Sequence, residues 1–301
     1  MFFIEGSLHL IDRSFFDGKT ASSDLVLAER IFFGRERLST PHPPVAKFDP
    51  LVGWVSLRPV ATTPSSRPVV AFFGDSWTYG LGVSEGEAFP AQFETLRPDL
   101  SARNYGVPGY GIDQMVLLAE RVVPELKPRW IVVSYIDDDM VRSCFPFTFG
   151  KRKPRWRDFE GNHRDLNWIR NEEELKVIHL HPWERALDVG LSQFFRLRVA
   201  KLFLSVATLP LIDSCMARLN AGVLGRAHRA WGERVIFLHI GGKATARSEG
   251  DLIRGGVPVV NIIPDGFFPQ RGNHPGPEYH RELAKRVSMI INQRERLFNG
   301  S

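Results

Sequence analysis

The chain has 301 residues, of which 43% are hydrophobic and 24% charged, values that exclude the disordered and fibrous classes of protein. Its net charge of +5 permits an anionic partner, but no nucleic-acid-binding motif accompanies the five cations of Lys151–Arg157, which we interpret as a solvated loop with no nucleic-acid partner. The longest uncharged apolar stretch, Leu202–Ile212, is shorter than the ~20 residues of a membrane-spanning helix, so no transmembrane span is expected.

The chain begins with a predicted N-terminal extension, residues 1–66, in which short aromatic runs alternate with polar breaks and proline-rich turns. A regular alternation follows. Continuous apolar runs predict strands that are buried on both faces, and apolar residues repeated at helical spacing predict the helices between them. The apolar runs predict strands at 68–73, 130–135, 234–239 and 257–262, and a short second strand is predicted at 101–105. The main predicted helices are 88–96, 112–126 and 277–298.

This alternation of strands and helices predicts an α/β fold. For residues 67–301 we expect a three-layer sandwich with about five parallel strands, joined by right-handed crossovers. The stretch from about 140 to 216 is too long for a simple crossover and is predicted to form a cap-like insertion. Because ligands bind outside the carboxyl ends of parallel strands, the loops after residues 73, 105 and 135 are the candidate site.

The first of these loops carries a serine in a tight turn. Asp75 and Ser76 follow Gly74 directly after a buried strand. A serine in such a turn can be held exposed, with its own backbone N–H directed at the group that its hydroxyl attacks. A single serine in a surface loop is more often structural, so this position gains weight only from the neighbouring loops.

Two further loops add chemistry to the same edge. Asn104–Gly111 contains three glycines and a proline, which let the backbone approach a ligand and expose N–H donors. Gly272–Gly276 places the imidazole of His274 directly before the last predicted helix. A neutral histidine is the usual base for activating a serine hydroxyl, so the three loops together indicate nucleophilic catalysis.

Together these segments resemble the SGNH/GDSL family of serine hydrolases, which are esterases, lipases and carbohydrate deacetylases on a flavodoxin-like sheet. The resemblance covers about 68–140 and 234–298 and rests on GDSWTYGLGV, NYGVPGYG and HPGPEYHRELA. It implies that Ser76 is the nucleophile and His274 the base. It also implies an oxyanion hole, the set of donors that stabilises a tetrahedral oxyanion, built from the backbone N–H groups of Ser76 and Gly109.

Two positions depart from the family pattern. Asp138 stands where the family has an asparagine that donates to the oxyanion, and Arg271 stands where the family has the aspartate that orients the histidine. Asp138 would act as a third donor only if it held a proton, which burial beside Asp137 or Asp139 would favour. Asp265, nine residues before His274, is predicted to orient the imidazole instead.

No metal or cofactor is expected. Cys144 and Cys215 are too few for a disulfide framework and have no metal-ligand spacing. His179 and His181 lie close together, but a metal site needs further ligands that the sequence does not indicate. The first residues lack the basic start and long apolar core of a secretory signal, so the expected location is cytoplasmic.

The predicted function is therefore serine-dependent hydrolysis of a carboxylic ester. The resemblance implies a short acyl group on a carbohydrate or other small molecule, and Asp75 and Arg271 are the predicted substrate-binding residues. Two alternatives stay open. An acyltransferase would pass the same acyl group to an alcohol, whereas a non-catalytic binding protein would use Arg271 to clamp a carboxylate or phosphate.

Overall fold

The computed structural model describes residues 46–49, 51–58, 60, 65–143, 147–148, 151–152, 155–156, 164–165, 218–240, 258–262 and 274–299. Asp265, Arg271, both cysteines and the histidine pair at 179 and 181 lie outside these residues. So do most of the predicted extension 1–66 and most of the predicted insertion at about 140–216.

A five-stranded parallel sheet forms the centre of the fold. Before it comes an antiparallel hairpin of β1 (Ala46–Asp49) and β2 (Gly53–Ser56). The sheet strands are β3 (Val69–Gly74), β4 (Ser101–Gly106), β5 (Trp130–Tyr135), β6 (Val235–Ile240) and β7 (Val259–Ile262). Their order across the sheet is β4-β3-β5-β6-β7, the flavodoxin-like arrangement.

Helices cover both faces of this sheet. They are α1 (Ser76–Tyr79), α2 (Phe89–Leu96), α3 (Ile112–Leu126), α4 (Asp137–Arg142), α5 (residues 218–231) and α6 (Pro277–Asn299). None of these helices has the length and apolar content needed to cross a membrane.

The apolar core lies in two layers, because successive side chains of a strand point to opposite faces. Ala71 and Phe73 of β3 pack with α3, α5 and the hairpin. Val70 and Phe72 pack with α2 and α6 on the other face. The residues of β3, β5 and β6 are almost wholly buried, which explains why these three strands are continuously apolar in the sequence.

The order of the strands places the candidate site at one point of the sheet. The chain leaves β3 toward β4 on one side and returns to β5 on the other, so β3 and β5 are neighbours whose connections diverge. Open α/β sheets bind their ligands at such a topological switch point, here between the loops after Gly74 and Tyr135. Gly74 pairs with both Gly106 of β4 and Ser134 of β5, which aligns the carboxyl ends of the three strands.

The predicted α/β class is confirmed, and the five predicted strands agree with the structure to within two residues at each end. The hairpin of β1 and β2 and the helix α5 are additional to the prediction. So are the short helices α1 and α4, each of which begins directly at the carboxyl edge. Part of the segment interpreted as a solvated loop also differs. Two short antiparallel strand pairs occur here. Lys151–Arg152 pairs with Phe147–Thr148, and Arg155–Trp156 pairs with Arg164–Asp165.

Candidate active site

Ser76 lies in a tight turn between β3 and α1. A side chain at Gly74 would place its Cβ 2.8 Å from the carbonyl oxygen of Ser134 and closer still to Thr78, so the turn requires glycine. Thr78 Oγ1 lies 2.6 Å from Ser134 Oγ, a hydrogen bond that ties α1 to β5. The sequence predicts an exposed serine here, but Ser76 is 7% exposed because its hydroxyl is enclosed by neighbouring side chains.

The hydroxyl of Ser76 contacts the imidazole of His274. Ser76 Oγ lies 2.9 Å from His274 Nε2, although 198 positions separate the two residues in the chain. The loop with His274 leads into α6, where the backbone N–H of His280 donates to the carbonyl of Gly276 at 3.2 Å. The 2.9 Å between Ser76 Oγ and His274 Nε2 is within the range expected for a hydroxyl nucleophile and its general base.

A carboxylate lies on the other side of the same hydroxyl. Ser76 Oγ is 3.3 Å from Asp75 Oδ2, while Asp75 Oδ1 accepts the backbone N–H of Trp77 at 2.8 Å. Asp75 is 1% exposed, so both carboxylate oxygens are directed at protein groups. The prediction that Asp75 contacts substrate stays a prediction; in the structure its carboxylate lies against the serine turn.

Asp75 belongs to a buried cluster of two carboxyl groups and one guanidinium, whose other members are Asp139 and Arg142. Arg142 Nη1 is 3.6 Å from Asp75 Oδ2 and forms a close hydrogen bond to Asp139 Oδ1. Asp139 is fully buried, and its Oδ2 accepts the N–H of Ile136 at 3.0 Å. These contacts connect the first turn of α4 to the turn that carries Ser76.

Burial controls the ionisation of this cluster. Loss of solvent raises the pKa of Asp75, and the nearby charge of Arg142 counteracts part of that rise. The pKa of Asp139 lies well above its ordinary value, first because of burial and second because of the negative charge of Asp75, with Arg142 again opposing. Arg142 thus compensates two carboxyl groups that water does not reach.

The three consecutive aspartates have different surroundings. Asp138 is 41% exposed and lies 3.4 Å from Arg142 Nη2, and Asp137 is 42% exposed and lies 2.8 Å from His239 Nε2. The sequence-based hypothesis of a protonated Asp138 required this carboxyl group to be buried. In the structure the buried carboxyl group is that of Asp139. Sequence reasoning missed the roles of Asp139 and Arg142, although a basic residue four positions after Asp138 on a helix is a usable signal.

The glycine-rich loop after β4 packs directly against α1. A Cβ at Gly106 would come within 2.3 Å of the backbone nitrogen of Tyr79, so the close approach requires glycine. The N–H of Val107 donates to the carbonyl of Gly74 at 2.9 Å. Gly109 has φ of 83°, a left-handed conformation that favours glycine and turns the chain beside the serine turn.

His280 anchors the helix that follows the His274 loop. It is fully buried, its Nδ1 accepts the backbone N–H of Phe89 at 3.2 Å, and its ring stacks on that of Phe89. Burial lowers the pKa of His280 to about 4. The neutral ring therefore holds the start of α2 against α6.

We expect this histidine to make stability depend on acid pH. The unfolded chain binds a proton at His280 near pH 6.5 and the folded chain only near pH 4, so its contribution is complete above pH 6.5 and is lost as the pH falls toward 4. The loss amounts to about 3 kcal/mol over that window. Urea unfolding at pH 7.5 and pH 5 should show a smaller decrease for His280→Asn, which keeps an acceptor, than for the parent. Equal decreases would contradict the prediction.

The structure thus brings Ser76, His274 and Asp75 together and places the Gly109 loop beside them. Asp265 and Arg271 lie outside the described residues, and their predicted roles stay predictions. Among the described residues, no group of three or more histidine, cysteine, aspartate or glutamate side chains is placed to hold a metal ion.

Comparison with known proteins gives matches only among solved structures. No protein-family model and no curated protein matches the sequence. Of 31 matching chains, many are esterases and lipolytic proteins of the SGNH/GDSL family, at low sequence identity. The esterase AlinE4, of the SGNH-hydrolase family, is 16% identical, with 77% of this chain and 98% of that chain covered and a TM-score of 0.35.

Two other matches have the same character. The lipase/acylhydrolase from Enterococcus faecalis is 13% identical, with 75% of this chain and 96% of that chain covered and a TM-score of 0.36. A two-domain esterase active on acetylated mannans is 11% identical, with 75% of this chain and 49% of that chain covered and a TM-score of 0.40. The chemistry assigned to this chain rests on its own geometry.

Proposed function

We propose that the protein hydrolyses a carboxylic ester through an acyl-enzyme formed on Ser76. The observation that carries this proposal is the 2.9 Å contact between Ser76 Oγ and His274 Nε2 at the topological switch point of the sheet. A serine hydroxyl is a weak nucleophile at its ordinary pKa and needs an adjacent base to take its proton. His274 supplies such a base, and the sheet topology supplies a crevice for the substrate.

The proposed reaction has two halves. Ser76 Oγ attacks the ester carbonyl carbon while His274 Nε2 takes the hydroxyl proton, and the carbonyl oxygen becomes an oxyanion. His274 then gives that proton to the leaving alcohol as the ester C–O bond breaks, which leaves the acyl group on Ser76. A water molecule repeats the sequence, releases the acid and restores the free serine.

The oxyanion needs donors at both tetrahedral stages. We assign this role to the backbone N–H groups of Ser76 and Gly109, because a serine at the start of a helix and a left-handed glycine in the adjoining loop lie on the same edge of the sheet. Asp265 is assigned to orient His274, and Arg271 to contact the substrate. The substrate class, a short acyl group on a carbohydrate or small molecule, is carried over from the family resemblance.

Turnover of p-nitrophenyl acetate, butyrate and octanoate, with and without an added sugar acceptor, tests the proposed function. We expect free acid as the product, the highest kcat/KM for acetate, and loss of turnover in Ser76→Ala. Acylated sugar in place of acid would assign the protein as an acyltransferase. Absence of turnover, together with binding of an acylated ligand that survives Ser76→Ala, would contradict catalysis and support a binding protein.

Asp138 is connected to the serine turn through Arg142, whose guanidinium lies 3.6 Å from Asp75 Oδ2 and 3.4 Å from Asp138 Oδ2. Replacing this carboxyl with the neutral amide of Asp138→Asn should raise kcat, since one oxyanion donor is worth roughly 10²–10³-fold.

Asp137→Asn is the matched control for this substitution, since it makes the same chemical change at the adjacent and equally exposed position. We expect its kcat to stay near that of the parent. If Asp138→Asn is no faster than the parent at any pH, Asp138 does not face the oxyanion.

A further inference from the structure

The hairpin of β1 and β2 lies outside the segments whose motifs resemble the hydrolase family, yet its residues pack in the apolar core. Val52 is fully buried and Trp54 is 2% exposed, and both pack in the apolar layer of α3. The side-chain amide of Gln114 donates to the carbonyl of Val52 at 2.7 Å. This segment is therefore fixed to the body of the fold immediately beside the Gly109 loop.

Trp54 contacts both neighbours of Gly109. Its indole Nε1–H donates to the carbonyl oxygen of Pro108 at 3.3 Å, and the hydroxyl of Tyr110 donates to the carbonyl oxygen of Trp54. The rings of Trp54 and Tyr110 also meet edge to face, with centroids 5.7 Å apart. Trp54 thus holds the loop on either side of the glycine, through its indole at Pro108 and through its backbone carbonyl and its ring at Tyr110.

The same segment also contacts the helix that carries Ser76. The guanidinium of Arg58 donates to the carbonyl of Tyr79 and lies 3.8 Å above the centre of its ring. Tyr79 is the last residue of α1. Residues 54 and 58 therefore connect the two loops that the proposed mechanism requires to act together.

The peptide bond gives the contact with Pro108 a specific consequence. The carbonyl oxygen of Pro108 and the N–H of Gly109 belong to one planar peptide unit, and no cis peptide bond occurs among the described residues. In a trans unit these two groups point in opposite directions. A hydrogen bond that holds the oxygen toward Trp54 therefore directs the N–H of Gly109 away from the hairpin.

We propose that the β1–β2 hairpin is a positioning element of the active site, in which Trp54 sets the direction of the Gly109 N–H toward the oxyanion. This inference rests on the proposed function, because it gives Gly109 the role of an oxyanion donor. The N–H of Tyr110 closes this turn on the carbonyl of Val107 at 3.3 Å, but glycine still allows the Pro108–Gly109 peptide unit to flip, so a hydrogen bond to the Pro108 carbonyl adds a constraint on the Gly109 N–H. The indole of Trp54 supplies that constraint from outside the loop.

Trp54→Phe tests the proposal, because it keeps an aromatic ring in the core while it removes the indole donor, and the control Trp130→Phe shares its loss of ring volume. We expect kcat for p-nitrophenyl acetate to fall about tenfold with KM within about twofold, part of the effect of losing one oxyanion donor. Amide hydrogen exchange of residues 106–111 should become faster. Tyr110→Phe, which releases the carbonyl of Trp54, should lower kcat in the same direction and serves if Trp54→Phe does not fold.

Trp130→Phe is the matched control. Trp130 is 3% exposed and its indole donates to Glu295 at 3.4 Å. It is the first residue of β5, so it lies at the amino-terminal ends of the strands, away from the carboxyl edge that carries Ser76. We expect its kcat and its exchange at residues 106–111 to equal those of the parent. Equal kcat and equal exchange in Trp54→Phe and Trp130→Phe would overturn the inference. A parent without Ser76-dependent turnover would overturn the proposed function instead, and the exchange measurement would still show whether the hairpin holds the loop.

Discussion

Replacing His274 with alanine is expected to lower kcat for ester hydrolysis by at least about 10⁴-fold, with a much smaller change in KM. The reason is that His274 Nε2 is the group placed to take the hydroxyl proton of Ser76. With the imidazole gone, the remaining neighbour of Ser76 Oγ among the described residues is Asp75, at 3.3 Å. That carboxylate is buried and paired with Arg142, so it is poorly placed to pass the proton on to a leaving alcohol.

The combined variant gives a sharper result than either single variant. If Ser76 and His274 act as a unit, Ser76→Ala with His274→Ala should be no slower than Ser76→Ala alone, because the second substitution removes nothing further. His228→Ala, on α5, is the control for loss of an imidazole elsewhere. Multiplicative effects of the two substitutions, or near-parental kcat in His274→Ala, would contradict the assignment of His274 as the base.

Arg142→Met is expected to destabilise the fold by about 3–5 kcal/mol near neutral pH, because it leaves two buried carboxyl groups without their cation. The effect should depend on pH. Removing the guanidinium raises the pKa of Asp75 and of Asp139 further, which favours the protonated form of both carboxyl groups in the folded chain. A raised folded-state pKa leaves stability intact below the unfolded value near pH 4, and stability is lost as the pH rises above it.

Urea unfolding of the parent and of Arg142→Met at pH 4 and pH 7.5 measures this effect. The two proteins should be similar at pH 4 and differ by several kcal/mol at pH 7.5. Arg286→Met is the control, because the partly exposed pair of Arg286 with Glu282, four positions apart on α6, contributes only about 0.3–0.5 kcal/mol. A difference between parent and Arg142→Met that is the same at both pH values would contradict the role of Arg142 as the compensating charge.

Much of the fold was predictable because burial of a parallel sheet leaves a direct record in the sequence. β3 and β5 are apolar on both faces, so each appears as an uninterrupted apolar run. Their topology then brings together loops that are far apart in the chain. The pairing of Ser76 with His274, across 198 positions, follows from the rule that parallel strands present their carboxyl ends at one edge.

The surroundings of the three consecutive aspartates were not predictable in the same way. Asp137, Asp138 and Asp139 begin α4, where each residue is rotated by about 100° from the one before, so only one of them faces inward. Which one does so depends on how α4 packs on the sheet. The sequence offered Asp138 from the family pattern, whereas packing buries Asp139 against Arg142.

The hairpin shows a second limit of sequence reasoning. β1 and β2 are four residues each and mix polar with aromatic residues, a pattern that predicts no particular partner. Trp54 is buried only because α3 and the Gly109 loop supply the matching surface. Burial that arises from contacts between distant segments leaves no periodic signal in either segment.

Intact-mass measurement after exposure to a fluorophosphonate tests the central claim most directly, because this reagent forms a stable bond only with a serine whose hydroxyl is activated. If Ser76 is activated, we expect one adduct per chain, located on Ser76 by peptide mapping. We also expect no adduct in Ser76→Ala and much slower labelling of His274→Ala. An unlabelled parent, or an adduct that persists in Ser76→Ala, would contradict the claim that Ser76 is the nucleophile.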